Sequence, residues 1–250
     1  MATNLDDLIV IYKDFIVRQY PDFLKKYEAT EKTNPDGAKF EAACYAILRT
    51  RGLKIEIGDT GKTGGADFIC SNVNCRFVVE ATTINTLVME NKTEMKHDQT
   101  GIPGGFYGAY PTLYQKLFEK VKQVAKPEYN IPRIVIIGSF HNESFLLFRD
   151  VMADEYFSVF FNSDYRKKPI PQDTLKDISA FALVAFSHNG YKIMGFLNPS
   201  PSYYFPIQFF PDIWFRQITQ QGLEDGTLLG EWISTNISKQ SFDYPVEIVL

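Results

Sequence analysis

Cysteine and histidine are both scarce in this 250-residue sequence, three of each. Cys44, Cys70 and Cys75 form an odd set with no disulfide framework, and His97, His141 and His188 are too scattered for a zinc site. No window of about eighteen apolar residues occurs, so no transmembrane helix is expected. The opening Met1-Ala-Thr-Asn-Leu-Asp-Asp has neither a cationic segment nor an apolar run, which argues against a secretory signal, and its early acids argue against a transit peptide. The expectation is a cytoplasmic protein with free thiols and no membrane partner. An excess of positive charge is also missing. Lys plus Arg number 26 against 30 Asp plus Glu, a net charge of −4, so the chain as a whole does not advertise nucleic acid. Internal repeats and low-complexity runs are absent.

What is present is 45% apolar and 22% charged residues, enough for one soluble globular domain with a sizeable core. Aromatic residues reach 15%, which suits a mixed or β-containing core as well as a binding surface. The single domain divides into three stretches: a helical segment over 1–33, a central part over 34–140 and an extension over 141–250. In the first, Asn4 can cap a helix whose Leu5, Leu8, Ile9, Tyr12, Phe15 and Ile16 recur at helical spacing up to a break at Tyr20-Pro21. This segment is read as a packing or dimerisation element, so a homodimer is one expected assembly.

The next helix is clearly punctuated, with Asn34 as N-cap, Pro35 at the first position and Gly52 at the C-terminal cap. Its apolar stripe is Phe40, Ala43, Cys44, Ile47 and Leu48. Glu41 precedes Cys44, Tyr45 and Leu48 by helical spacings, which puts a carboxylate at the edge of the inward face. A snorkelling edge residue, or a partner for Arg49, would explain that placement equally. After Gly52 the period changes to two. Leu53–Ile57 reads as a strand, Gly58–Gly65 as a glycine-rich loop, and Ala66–Cys70 and Arg76–Thr82 as strands joined by a turn at Asn72-Val73-Asn74. Cys70 and Cys75 flank that turn as small core residues. With Val73 and Asn74 central, Cys70 faces Phe77, Ile69 faces Val78, and Asp67 faces Glu80. Opposed like charges in a strand pair are destabilising. Either the two share a proton, or a cation lies between them, or the register differs.

Residues 83–111 present no convincing element but hold the glycine-rich stretch Gly101–Pro111, a functional or mobile connection. Phe106, Tyr107 and Tyr110 lie there, either for stacking on bases or tucked onto the core. Thr112 can cap a helix to about Lys126 with the stripe Leu113, Leu117, Val121 and Val124. Lys116 and Lys120 border that stripe, an arrangement an ordinary solvated flank also produces. Arg133–Gly138 is a short continuous apolar run, as in a strand buried on both faces, and it follows a helix as a βαβ crossover requires. The extension offers a helix near 145–154, a hairpin across His188-Asn189-Gly190, and a polar, aromatic tail.

Taken in chain order, Glu41 on a helix, Gly65-Ala66-Asp67-Phe68 on a strand, Val78-Val79-Glu80-Ala81-Thr82 on its partner and the Lys116/Lys120 helix before a buried strand resemble the PD-(D/E)xK superfamily of restriction-endonuclease-like nucleases. The resemblance covers residues 34–140. It implies an α/β fold with a restriction-endonuclease-like α-β-β-β-α-β core on a mixed central sheet, an N-terminal helical segment and an α+β C-terminal extension. Glu41, Asp67 and Glu80 match the acidic positions of the motif. Thr82 departs from it, standing where the family has lysine. Some members take that lysine from the next helix, and Lys116 or Lys120 would be the substitute; the run Tyr114–Gln123 is similar to the lysine-rich helix of one bacterial branch.

Such chemistry needs Mg²⁺ or Mn²⁺ held by one or two carboxylates and substrate oxygens, because negative charge builds on an already anionic phosphate. Asp67, Glu80 and the Ala81 carbonyl would be ligands, Glu41 would reach the same ion or a second one, and a lysine would offset charge in the transition state. Local charge permits a DNA partner: residues 91–126 hold six lysines against three acids, while 169–250 holds four cations against eight acids. Lys92 and Lys96 are the nucleic-acid-binding candidates beside Phe106, Tyr107 and Tyr110. The residues and the resemblance together predict a metal-dependent DNA nuclease, the bacterial or phage defence or repair setting being what the resemblance alone implies. The alternatives are a catalytically inactive relative serving as a binding module, which Thr82 and the acidic extension favour, and an enzyme of another class using the same carboxylates.

Overall fold

A computed structural model describes residues 5–58, 65–94, 96, 106–124, 129–142, 144, 175–187, 190–218 and 230–235. Its frame is one mixed sheet of eight strands in sequence order. These are β1 Lys54–Ile57, β2 Phe68–Ser71, β3 Arg76–Thr83, β4 Arg133–Ser139, β5 Ala180–Ser187, β6 Gly190–Leu197, β7 Trp214–Ile218 and β8 Gly230–Ile233. Strands β1, β2 and β3 run antiparallel, whereas β3, β4 and β5 are parallel. Beyond them β5 and β6 form the expected antiparallel hairpin, β6 pairs parallel with β7, and β7 antiparallel with β8. The fold is therefore α/β with a mixed sheet.

Helices cover both faces. On one lie α1 Leu5–Gln19, α2 Pro21–Thr33 and α3 Pro35–Arg49; α4 Thr86–Thr93 and α5 Phe106–Val124 lie on the other. Helix α3 is built as its punctuation predicts: Asn34 accepts the Gly37 N–H with its side chain, Pro35 starts the first turn, and Gly52 follows the end at φ +70°. Its apolar stripe packs on β3 and β4, and Phe40 lies so close over Gly138 that any side chain there would collide with the ring. On the opposite face Leu113, Leu117, Val121 and Val124 of α5 pack against Val78, Val135 and Ile137. Strand β4, buried at every residue between the two layers, is the doubly covered strand its apolar run predicts.

Several elements differ from expectation. Residues 83–111 contain α4, whose start is capped by the Asn85 side chain accepting the Leu87 N–H, and α5 begins at Phe106. Phe106, Tyr107 and Tyr110 therefore sit on a helix, and Pro111, read as a loop residue, costs that helix only one bond near its start. In its described residues the C-terminal extension continues the central sheet. It adds four strands to the same sheet, and β7 and β8 replace much of the expected tail because strands of four or five residues carry little periodic signal. Asn4, the loop over 59–64, the helix near 145–154 and the turn residues His188 and Asn189 lie outside the described residues. Among the described residues no helix is long and apolar enough to cross a membrane.

Candidate active site

Residue 67 stands one position before the β2–β3 ladder, and that position organises the site. The ladder has the predicted register, Ile69 opposite Val78 and Cys70 opposite Phe77, and its last pair is Phe68 with Val79. Asp67 thus reaches the level of Glu80 without being a strand partner. Its Oδ2 accepts the Ala81 N–H at 2.7 Å, which covers the edge of β3 where β2 has not yet begun. Amide and carbonyl of one strand residue point to the same side, so the Ala81 carbonyl is directed toward this same gap.

Glu80 projects from β3 between Val78 and Thr82, toward the face covered by α5, and its side chain is 2% exposed. Lys120 of α5 reaches it, Nζ donating to Oε1 at 2.6 Å. The other oxygen, Oε2, is buried and has no hydrogen-bond partner among the described residues. Burial and the Asp67 charge push the Glu80 carboxyl up to about 8, against the pull of Lys120 and of the Asp67 backbone. Burial alone would lower the Lys120 ammonium, but Glu80 and Asp67 outweigh it and hold the lysine charged.

Glu41 approaches from the other side, on α3. Its Oε1 accepts the Tyr12 hydroxyl at 2.6 Å. Burial and Asp67 raise this carboxyl as well, while Tyr12, Lys26 and Lys120 pull it down. Tyr12 is fully buried, and burial together with Glu41 pushes its phenol well above the ordinary range, so it remains a donor. Glu41 and Glu80 thus each feel the Asp67 charge from opposite sides, with Lys120 acting on both and Lys26 on Glu41. Both carboxyls remain raised despite these cations, and a proton or a bound metal ion would relieve the repulsion.

The other predicted residues lie apart from this group. Lys116, one turn before Lys120, is at the surface 4.0 Å from Glu119 and does not meet Glu80, because a helical step of four residues moves it along α5 by a full turn. Lys92 on α4 and Lys96 beyond it are exposed. The side chains of Phe106, Tyr107 and Tyr110 are outside the described residues. Thr82 is buried on the Glu80 side of β3. A cleft of about 460 Å³ lined by Phe15, Arg18, Tyr45, Arg49 and Glu56 opens between α1, α3 and β1, and includes none of the three carboxylates.

The sequence reading passed over Tyr12, counting it only as part of the α1 apolar stripe. The usable signal was chemical: a tyrosine buried in such a stripe must find a partner for its hydroxyl. Among the described residues no three Asp, Glu, His or Cys side chains stand together closely enough to enclose a metal unaided. Two carboxylates suffice for Mg²⁺ when substrate phosphate completes the shell, and the orphaned Glu80 Oε2 beside Asp67 fits that lesser requirement. No protein-family model, curated protein or solved structure matches the chain.

Proposed function

We propose that the protein is a Mg²⁺- or Mn²⁺-dependent nuclease of restriction-endonuclease-like fold that hydrolyses phosphodiester bonds of DNA, in a defence or repair setting implied by the resemblance. The observation that carries the reading is that Asp67 acts on both Glu41 and Glu80, with Lys120 bonded to Glu80 and the other buried Glu80 oxygen unpartnered among the described residues. The antiparallel β1-β2-β3 run followed by parallel β4, with α3 and α5 on opposite faces, supports the core arrangement that the resemblance implies.

Asp67, Glu80 and the Ala81 carbonyl are the groups that would hold the cation, with Glu41 at its edge. A divalent ion bound there supplies charge stabilisation for a phosphate becoming more negative. The chain's own residues do the remainder. Lys120, held charged and anchored on Glu80, carries a proton at Nζ where it can orient water and offset charge, the task Thr82 is too short and uncharged to perform. Exposed Lys92 and Lys96 supply phosphate contacts outside the site.

One observation favours the rival reading of a catalytically inactive binding module: Lys120 already occupies Glu80 Oε1, an oxygen a metal would use. The two readings separate in a cleavage assay. Plasmid and single-stranded DNA incubated with Mg²⁺ or Mn²⁺ should be cut by the wild type, and Asp67→Ala or Glu80→Ala should lower the rate by roughly 10³-fold or more. A wild-type protein that cuts no nucleic acid with either metal sinks the nuclease reading.

A further inference from the structure

The tyrosine that sequence reading left inside an apolar stripe is the residue through which the N-terminal segment enters the site. Tyr12 donates its hydroxyl to Glu41 Oε1 at 2.6 Å, across 29 residues of sequence. Its ring is gripped on all sides, edge-on to Tyr27 at 5.2 Å and to Phe68 at 6.0 Å, and against Tyr45 at 5.0 Å. Phe68 is the residue next to Asp67. Tyr27 is itself pinned to α3, its hydroxyl donating to the Ala38 carbonyl at 3.0 Å, one turn before Glu41. Helices α1 and α2 are thereby locked to the part of α3 that carries the carboxylate.

We infer that Tyr12 is a positioning residue for Glu41, fixing one of its two oxygens so that the other faces the divalent cation the site would bind, and that α1 is part of the site. The inference rests on the metal-dependent reading above. A hydrogen-bonded partner behind a metal-facing carboxylate orients it, and loss of such a partner typically weakens metal binding by roughly 10–100-fold. Other charged or polar groups that act on Glu41 are Lys26 and Tyr27 from α2, Asp67 before β2 and Lys120 from α5, while the Tyr12 hydroxyl fixes Oε1 at 2.6 Å.

Mn²⁺ binding followed by calorimetry and by the electron paramagnetic resonance of the free ion tests this without any turnover. Tyr12→Phe keeps the ring and removes only the hydroxyl. It should weaken Mn²⁺ binding about tenfold. Tyr27→Phe removes an equally buried hydroxyl that bonds only backbone, and should leave Mn²⁺ affinity within about twofold while costing similar thermal stability. Equal Mn²⁺ affinity in wild type and Tyr12→Phe overturns the inference and leaves the nuclease reading standing. Equal weakening in both variants also overturns it, since general loosening would then explain the loss. A wild type that binds no Mn²⁺ removes the cation site itself, and the inference with it.

Discussion

Two carboxylates flank Asp67, Glu80 buried and Glu41 half-buried, and they are held in different ways. Glu41, on the face covered by α1 and α3, receives a neutral hydroxyl from a phenol that stays protonated. Glu80, on the face covered by α5, receives an ammonium. A neutral donor orients a carboxylate without cancelling its charge, whereas an ammonium does both at the expense of desolvating two ions. On the α3 side the hydroxyl fixes geometry while Lys26 and Lys120 act on the charge; on the α5 side one bonded ammonium does both. Asp67 repels both, so neither side is electrostatically at rest.

Removing the ammonium gives the largest expected effect short of removing the acids themselves. Lys120→Met leaves Glu80 buried without its cation, and metal-dependent DNA cleavage should fall by roughly 10²-fold or more. Thermal unfolding should show a loss of about 1–3 kcal/mol above pH 8, where wild-type Glu80 ionises beside Lys120 and the variant carboxyl keeps its proton, and a smaller loss near pH 5, where both are protonated. A variant cleaving at the wild-type rate would show that the ammonium serves structure alone.

The pH dependence of stability probes both sides together. Glu41 and Glu80 are raised to about 8 from an ordinary value of 4.5. Between these values the folded state holds protons that the unfolded state has released, so stability falls as pH rises. Metal-free protein should be more stable at about pH 5 than at pH 8 by on the order of 3 kcal/mol, the reverse of the usual carboxylate trend. Mg²⁺ should restore stability at pH 8 more than at pH 5, because a ligand carboxylate must be deprotonated. Denaturant titrations at the two pH values with and without Mg²⁺ check both statements, and a flat profile would mean that the carboxylates are already compensated.

A smaller effect follows from the acid that couples the two sides. Asp67→Asn keeps an oxygen to accept the Ala81 N–H but removes the repulsion on Glu41 and Glu80. Metal-free protein should gain about 1 kcal/mol, a rise of roughly 2–4 °C in Tm by calorimetry, while losing cleavage. The smallest effect belongs to Lys116→Met. Its lysine is at the surface 4.0 Å from Glu119, and cleavage and stability should change by less than about twofold and 0.5 kcal/mol. A large loss of cleavage in Lys116→Met would exchange the roles assigned to the two lysines.

The local signals of the central part were legible in the sequence. Asn34 and Pro35 opened α3, the turn at Asn72–Cys75 set the β2–β3 register, and the apolar run after Pro132 marked β4. Each depends on neighbours a few residues away. Helix α4 and the early start of α5 were not legible: α4 is eight residues with no clear apolar stripe, and Gly108 and Pro111, which read as breakers, lie within the first two turns of α5. The same limit applied to β7 and β8, too short for a period to register. Within the candidate site the three acids could be named in advance, since a carboxylate among apolar residues stands out by type.

By itself, then, the sequence determined the chemical inventory: an acid at the edge of the α3 stripe, two more near one level of a hairpin, two candidate lysines on one helix and no strand lysine at position 82. Tertiary structure decided which of these meet. It brought Lys120 rather than Lys116 to Glu80, turned Asp67 from a cross-strand partner into the acceptor of the Ala81 N–H, and carried Tyr12 from α1 to Glu41. The reason is physical. Residue type and spacing set what a side chain can do within one element, but helix rotation against a sheet and the residue at which a ladder ends are set by packing between elements distant in the chain.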